Sequence, residues 1–115
     1  MRILIADDQR DVAAALAALV SSSNHEVVEI VGSGLDAIHA YARHKPDVVL
    51  MDYWMSKLNG ATACRNIRAK DPQARIILIS GFACAETPET LGASAILQKP
   101  VTRARLEEAI ANALR

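Results

Sequence analysis

Five short runs of aliphatic and β-branched residues, Ile3 to Ala6, Val27 to Val31, Val48 to Met51, Ile76 to Ile79 and Ala95 to Leu97, punctuate the chain. Between them the apolar residues recur at helical spacing. This alternation constrains the fold more tightly than any other feature. Strands that are apolar at every position are buried on both faces, and such strands belong to a parallel sheet covered by helices on each side. The expected architecture is a doubly wound α/β sandwich.

The intervening segments carry their own start and stop signals. From Arg10 to Val20 the residues Val12, Leu16, Leu19 and Val20 follow the spacing of one buried helical face, and Ser21 to Asn24 end it. A second helix is expected from Leu35 to His44, stopping before Lys45-Pro46 because the residue preceding a proline is pushed out of helical geometry. A third spans Ala61 to Ala69. Thr87-Pro88-Glu89, an N-cap followed by proline, starts a fourth that Gly92 ends after about one turn. The last runs from Thr102, its N-cap, to Leu114, with Leu106, Ile110 and Leu114 on one stripe.

With 115 residues the chain has room for one hydrophobic core, and no linker, repeat or low-complexity tract divides it, so residues 1–115 are expected to form one domain. Aromatic residues are only 3% of the total, which leaves the core to Ala, Val, Leu and Ile. Thirteen basic residues balance thirteen acidic ones, so no diffuse positive field exists to hold nucleic acid or an anionic membrane. The first apolar run stops at Asp7-Asp8, too early for a signal peptide, and no later run reaches membrane-spanning length. A cytoplasmic location is expected. Cys64 and Cys84 form no metal or redox motif and read as reduced thiols. His25, His39 and His44 receive no role.

The chemistry gathers at the ends of the strands. Asp7 and Asp8 follow the first run, Asp52 the third, Ser80-Gly81 the fourth and Lys99-Pro100 the fifth. In an open parallel sheet the ligand site lies beyond the carboxyl ends of the strands, where strand order reverses. Three carboxylates brought together repel one another unless a cation intervenes, and an all-oxygen site with few protein ligands suits Mg2+. Lys99 and the Ser80 hydroxyl supply a fixed positive charge and a donor opposite an anion bound at that metal. The simplest such anion is a phosphoryl group.

This constellation resembles the receiver domain of two-component response regulators, and the resemblance runs from Arg2 to Arg115. It implies a flavodoxin-like receiver fold with five parallel strands in the order 2-1-3-4-5. It further implies that Asp52 takes a phosphoryl group from a phosphohistidine on a histidine kinase or histidine phosphotransfer protein. Asp7 and Asp8 would position Mg2+ together with Asp52 and the backbone carbonyl of Trp54. Lys99 would pair with the phosphoryl oxygens, Ser80 would swing in to hydrogen-bond them, and the Lys99-Pro100 bond would be cis.

Departures from the family pattern bear on how phosphorylation is read. Ser56 stands where the family has proline, which frees φ and restores an N–H donor. Trp54 and Phe82 lie two positions beyond Asp52 and Ser80, where bulky apolar groups would obstruct in-line attack by water. The segment from Ser80 through Gly81 to Lys99 is several residues short, and Ile96 occupies the position of the family's switch aromatic.

The resulting expectation is a free-standing receiver, a monomer or weak dimer, that switches conformation to signal to a downstream protein target without binding nucleic acid or membrane. A receiver cut from a hybrid histidine kinase or a transcription factor is the alternative. A Mg2+-dependent aspartyl-phosphate phosphatase is disfavoured, because such enzymes need an acid where Trp54 stands.

Overall fold

All five apolar runs become strands in the computed structural model, which describes residues 1–55, 58–81 and 87–114. Ser56, Phe82, Cys84 and Arg115 lie outside the described residues. Strands β1 (Arg2–Ala6), β2 (Glu26–Val31), β3 (Val48–Asp52), β4 (Ile76–Ser80) and β5 (Ala95–Gln98) alternate with helices α1 (Arg10–Ser22), α2 (Gly34–His44), α3 (Gly60–Lys70), α4 (Pro88–Leu91) and α5 (Arg103–Ala113). The strands form one parallel sheet in the order β2-β1-β3-β4-β5, as the resemblance implied.

Because successive side chains of a strand point to opposite faces, each apolar run feeds two cores at once. Leu4, Ala6, Val49, Met51, Ile76 and Leu78 face one side, where Ala37 and Ala40 of α2, Cys64 and Ile67 of α3 and Leu91 of α4 cover them. Ile3, Ile5, Val48, Leu50, Ile77 and Ile79 face the other, under Leu16 and Val20 of α1 and Leu106 and Ile110 of α5. Every residue of β3 and β4 is buried. Each large aliphatic side chain enclosed this way contributes about 1.5–3 kcal/mol relative to exposure. Alanines on α2 and α3 let those helices lie close to the sheet, which suits a chain poor in aromatic residues.

The helix ends follow the local chemistry. Ser33, Asn59, Thr87 and Thr102 each accept a hydrogen bond from the backbone N–H three residues ahead, satisfying a donor that the helix leaves open. Lys45 ends α2 in the left-handed region at φ 44°, and Gly92 ends α4 at φ 74°. The fourth helix is four residues long, the single turn expected from Thr87-Pro88 and Gly92.

The first helix departs from expectation in two ways. It continues two residues past Val20 to Ser22, and the hydroxyls of Ser22 and Ser23 donate to the Leu19 carbonyl over that last turn. Its buried face is Ala13, Leu16 and Val20, while Val12 and Leu19 are only half-buried. Periodicity counts Ala13 as neutral and Val12 as core, but the small side chain is the one that fits against the sheet.

Cys64 is a buried free thiol whose Sγ donates to the Gly92 carbonyl at 3.3 Å, and burial pushes its pKa up to about 11. This agrees with the reading of an unreactive thiol. His44 pairs at the surface, with Nε2 2.7 Å from Glu29 Oε1. Among the described residues no helix is long and apolar enough to cross a membrane.

Candidate functional site

Parallel register sets the site. Ala6 pairs with Met51, Asp52 with Ile79, and Ser80 with Gln98. Asp7, Asp52, Ser80 and Lys99 therefore leave four adjacent strands at one rim. Chain order reverses between β1 and β3, so Asp7 and Asp52 flank the crevice where such sheets hold their ligands.

At this rim Asp7, Asp8 and Asp52 each offer a carboxylate oxygen, and the three oxygens lie within 4.8 Å of one another. Asp7 and Asp52 are buried and Asp8 is exposed. Lys99 reaches in from β5, with Nζ 3.1 Å from Asp52 Oδ1 and 3.7 Å from Asp7 Oδ2. Its own backbone N–H donates to the Ser80 carbonyl at 2.7 Å, which ties the β5 end to the β4 end. Ser80 is buried beside them. The Lys99-Pro100 peptide is cis.

Electrostatics mark Asp52 as the strained member of the group. Burial pushes its pKa above the usual carboxylate range; the Lys99 ammonium opposes this, while the charges of Asp7 and Asp8 add to it. Asp7 is held differently. Its Oδ1 accepts the Gln9 N–H at 2.9 Å, and its Oδ2 is fully buried without a hydrogen-bond partner among the described residues. Lys99 Nζ stands 3.7 Å from this oxygen, beyond hydrogen-bond reach, so the cost of its burial is only partly offset unless a metal cation meets it. The donor set is all oxygen, anionic and partly solvent-facing, which fits Mg2+ and its retained waters.

Two glycines fix the backbone around Asp52. A Cβ on Gly60 would collide with the Asp52 carbonyl oxygen and crowd Tyr53, and the Gly60 N–H donates to the Tyr53 carbonyl at 2.8 Å. Gly60 is required for close approach, not for an unusual φ. A Cβ on Gly34 would meet the Leu58 carbonyl at 2.5 Å and Ala63 Cβ at 3.2 Å. Sequence reading missed Gly34; its signal is the Ser33-Gly34 pair, where the cap is followed by the smallest possible first helical residue. Gly81 differs from both, since a Cβ there meets nothing within 4 Å among the described residues.

The residues singled out as modulators are dispersed. Trp54 is 59% exposed and touches Tyr53 edge-on, with ring centroids 4.9 Å apart. Ile96 is half-buried against the core beneath α4. A cleft of about 490 Å3, which sequence reading also missed, opens beside Lys99 between α1 and the start of the β5–α5 connection; Val12, Leu19, Pro100 and Val101 line it. The sequence carried no signal for it, since periodicity assigns Val12 and Leu19 to the buried stripe and only the structure leaves them half-buried.

Known proteins carry the same arrangement. A profile of the response regulator receiver domain matches residues 3–111. The chemotaxis protein CheY of Bacillus subtilis is 34% identical over 112 residues, covering 95% of this chain and 93% of that protein. CheY of Treponema pallidum is 31% identical over 119 residues, covering 99% and 83%. A crystal structure of the CheX-CheY complex with BeF3 and Mg2+ from Borrelia burgdorferi superposes with a TM-score of 0.93 at 26% identity, covering all of this chain and 90% of that one. Strand order, acidic rim and a match that spans nearly every residue agree: the chain belongs to the response regulator receiver domains and is CheY-like.

Proposed function

We propose that Asp52 accepts a phosphoryl group from a phosphohistidine on a histidine kinase or histidine phosphotransfer protein, and that the modified domain then signals to a downstream protein target. One observation carries this reading: a lysine ammonium 3.1 Å from Asp52 at a rim where three carboxylate oxygens lie within 4.8 Å. An Asp52 oxygen bonds to phosphorus as the P–N bond to the donor imidazole breaks, and the imidazole keeps the electron pair and takes up a proton. Asp7, Asp8, Asp52 and the backbone carbonyl of Trp54 would hold Mg2+, whose charge offsets that of the phosphoryl oxygens. Lys99 exchanges its contact with the carboxylate for one with the phosphoryl group. The Ser80 hydroxyl donates to a phosphoryl oxygen.

The cleft beside Lys99 gives the phosphodonor a seat. Its apolar walls end at Asp11 and Lys99, so a partner resting on Val12, Leu19 and Val101 would present its histidine to Asp52. Trp54 and Phe82 are assigned to shield the acyl phosphate from water, and Ile96 takes the place of an aromatic switch on β5. With no acid at position 54, the domain holds its phosphate as a signal and does not turn over as a phosphatase. We assign it the role of a cytoplasmic receiver, monomeric or weakly dimeric, that binds proteins and neither nucleic acid nor membrane.

The test is incubation with Mg2+ and acetyl phosphate or beryllofluoride, followed by Trp54 fluorescence and intact mass. A phosphoryl adduct and a fluorescence change in wild type, both absent from Asp52→Ala, are expected. Wild type that gives neither sinks the proposal.

A further inference from the structure

Lys and Arg are unevenly spread in a chain of zero net charge. Between Gly60 and Arg75 stand Arg65, Arg68, Lys70 and Arg75 against a single acid, Asp71. The fold brings Lys45, at the end of α2, beside Lys70 and Asp71 at the end of α3, because the two helix ends line one groove and the Tyr41 hydroxyl of α2 bonds to Asp71. Asp71 is already engaged, accepting the Tyr41 hydroxyl at 2.7 Å and the Gln73 N–H at 3.0 Å. Lys45 and Lys70 are exposed and have no ion-pair partner among the described residues.

Lys45 and Lys70 line a groove of about 480 Å3 between α2 and α3, together with the apolar side chains of Ile38, Ala42 and Ile67 and with His39, Tyr41 and Asp71. Helix dipoles account for cations in the last turns of both helices, but not for the apolar side chains left between them. We propose that this groove docks an acidic amphipathic helix of a partner protein, with apolar side chains on Ile38 and Ala42 and carboxylates toward Lys45 and Lys70. Nucleic acid fits less well, since much of the lining is apolar and the Tyr41 hydroxyl is committed to Asp71.

The groove is also placed to respond to the rim. Gly34 starts α2 wedged on Leu58 and Ala63, and Gly60 starts α3 wedged on the Asp52 carbonyl, so both walls begin against the backbone that follows Asp52. With α4 reduced to one turn, this face offers a longer helix-lined surface than the one under α4. The docking proposal is tested on the unphosphorylated chain, so its failure is separate from failure of the phosphoacceptor reading.

The probe is a synthetic 18-residue helical peptide with Leu on one face and Glu on the other, titrated while amide resonances are followed by NMR. Shifts centred on Ala42, Ile67 and Lys70 are expected. Binding should weaken at least tenfold for a Gln-for-Glu peptide and for the Lys45→Asp, Lys70→Glu double variant, Asp being tolerant of the left-handed φ at position 45. Exposed Ala42 supplies a second pair that leaves the fold intact: Ala42→Glu should weaken binding and Ala42→Lys should strengthen it. No binding, shifts mapping to another face, equal binding of the Gln peptide, or an oligouridylate occupying the same residues as tightly would each overturn the proposal.

Discussion

The Lys99 ammonium lies 3.1 Å from Asp52, yet the Asp52 carboxyl is still harder to ionise than an ordinary aspartate. Burial and the neighbouring carboxylates outweigh a direct ion pair. The apo site is therefore destabilised by the charges it needs for its chemistry, and the consequences can be measured.

Asp52→Asn should stabilise the metal-free chain at neutral pH, because it removes a buried carboxylate whose ionised form is disfavoured by burial and by the charges of Asp7 and Asp8. The sign follows from linkage. A carboxyl with its folded pKa raised above 3.8 favours the fold fully below 3.8, and that contribution is lost as pH rises through the folded value. Thermal melts of wild type and Asp52→Asn across pH 3 to 8 should diverge above this window; parallel curves would contradict the assignment.

Mg2+ should raise the melting temperature, with about 1.4 kcal/mol of stabilisation at tenfold excess over its Kd. EDTA should reverse the shift. Asp7→Asn, which removes the charge behind the unmatched Oδ2, should reduce metal affinity by at least tenfold. An unchanged Mg2+ response in that variant would remove Asp7 from the metal site.

Lys99→Met should raise the Asp52 pKa further, because it deletes the cation that pairs with it at 3.1 Å. NMR titration of the Asp52 carboxyl would read this. The variant should also lose most of the fluorescence response to beryllofluoride while retaining Mg2+ binding, because the proposed mechanism sets Lys99 against the phosphoryl oxygens and not the metal.

Gly60→Ala should destabilise the fold by about 1–3 kcal/mol, the usual cost of overpacking, and slow phosphorylation by moving the Asp52 carbonyl. Gly81→Ala, with open space at its Cβ, should stay within about 0.5 kcal/mol of wild type. Urea denaturation of the pair separates close approach from backbone flexibility as the reason for each glycine.

Replacing Trp54 and Phe82 by Asn should shorten the lifetime of the phosphorylated domain by about tenfold, equivalent to 1.4 kcal/mol of barrier. A wild-type half-life shorter than that of the double variant would contradict the shielding role. Because Trp54 is 59% exposed without a bound phosphate, its single variant tests whether the ring turns inward on phosphorylation.

Strand runs, helix starts at Thr87 and Thr102, the single turn of α4 and the cluster of chemistry at strand ends were all legible in the sequence, because each follows from local periodicity, capping or the properties of parallel sheets. Asp7, Asp8, Asp52, Ser80 and Lys99 could be chosen on the same grounds, as polar residues placed where apolar strands stop. Only the tertiary structure decided how they interact. The register that sets Asp7 beside Asp52, the burial that raises the Asp52 pKa against Lys99, the contact of Gly60 with Asp52, and the groove where Lys45 meets Lys70 all join residues distant in sequence. Local pattern reports which side chains a segment offers; distance and dielectric between segments exist only once the sheet has closed.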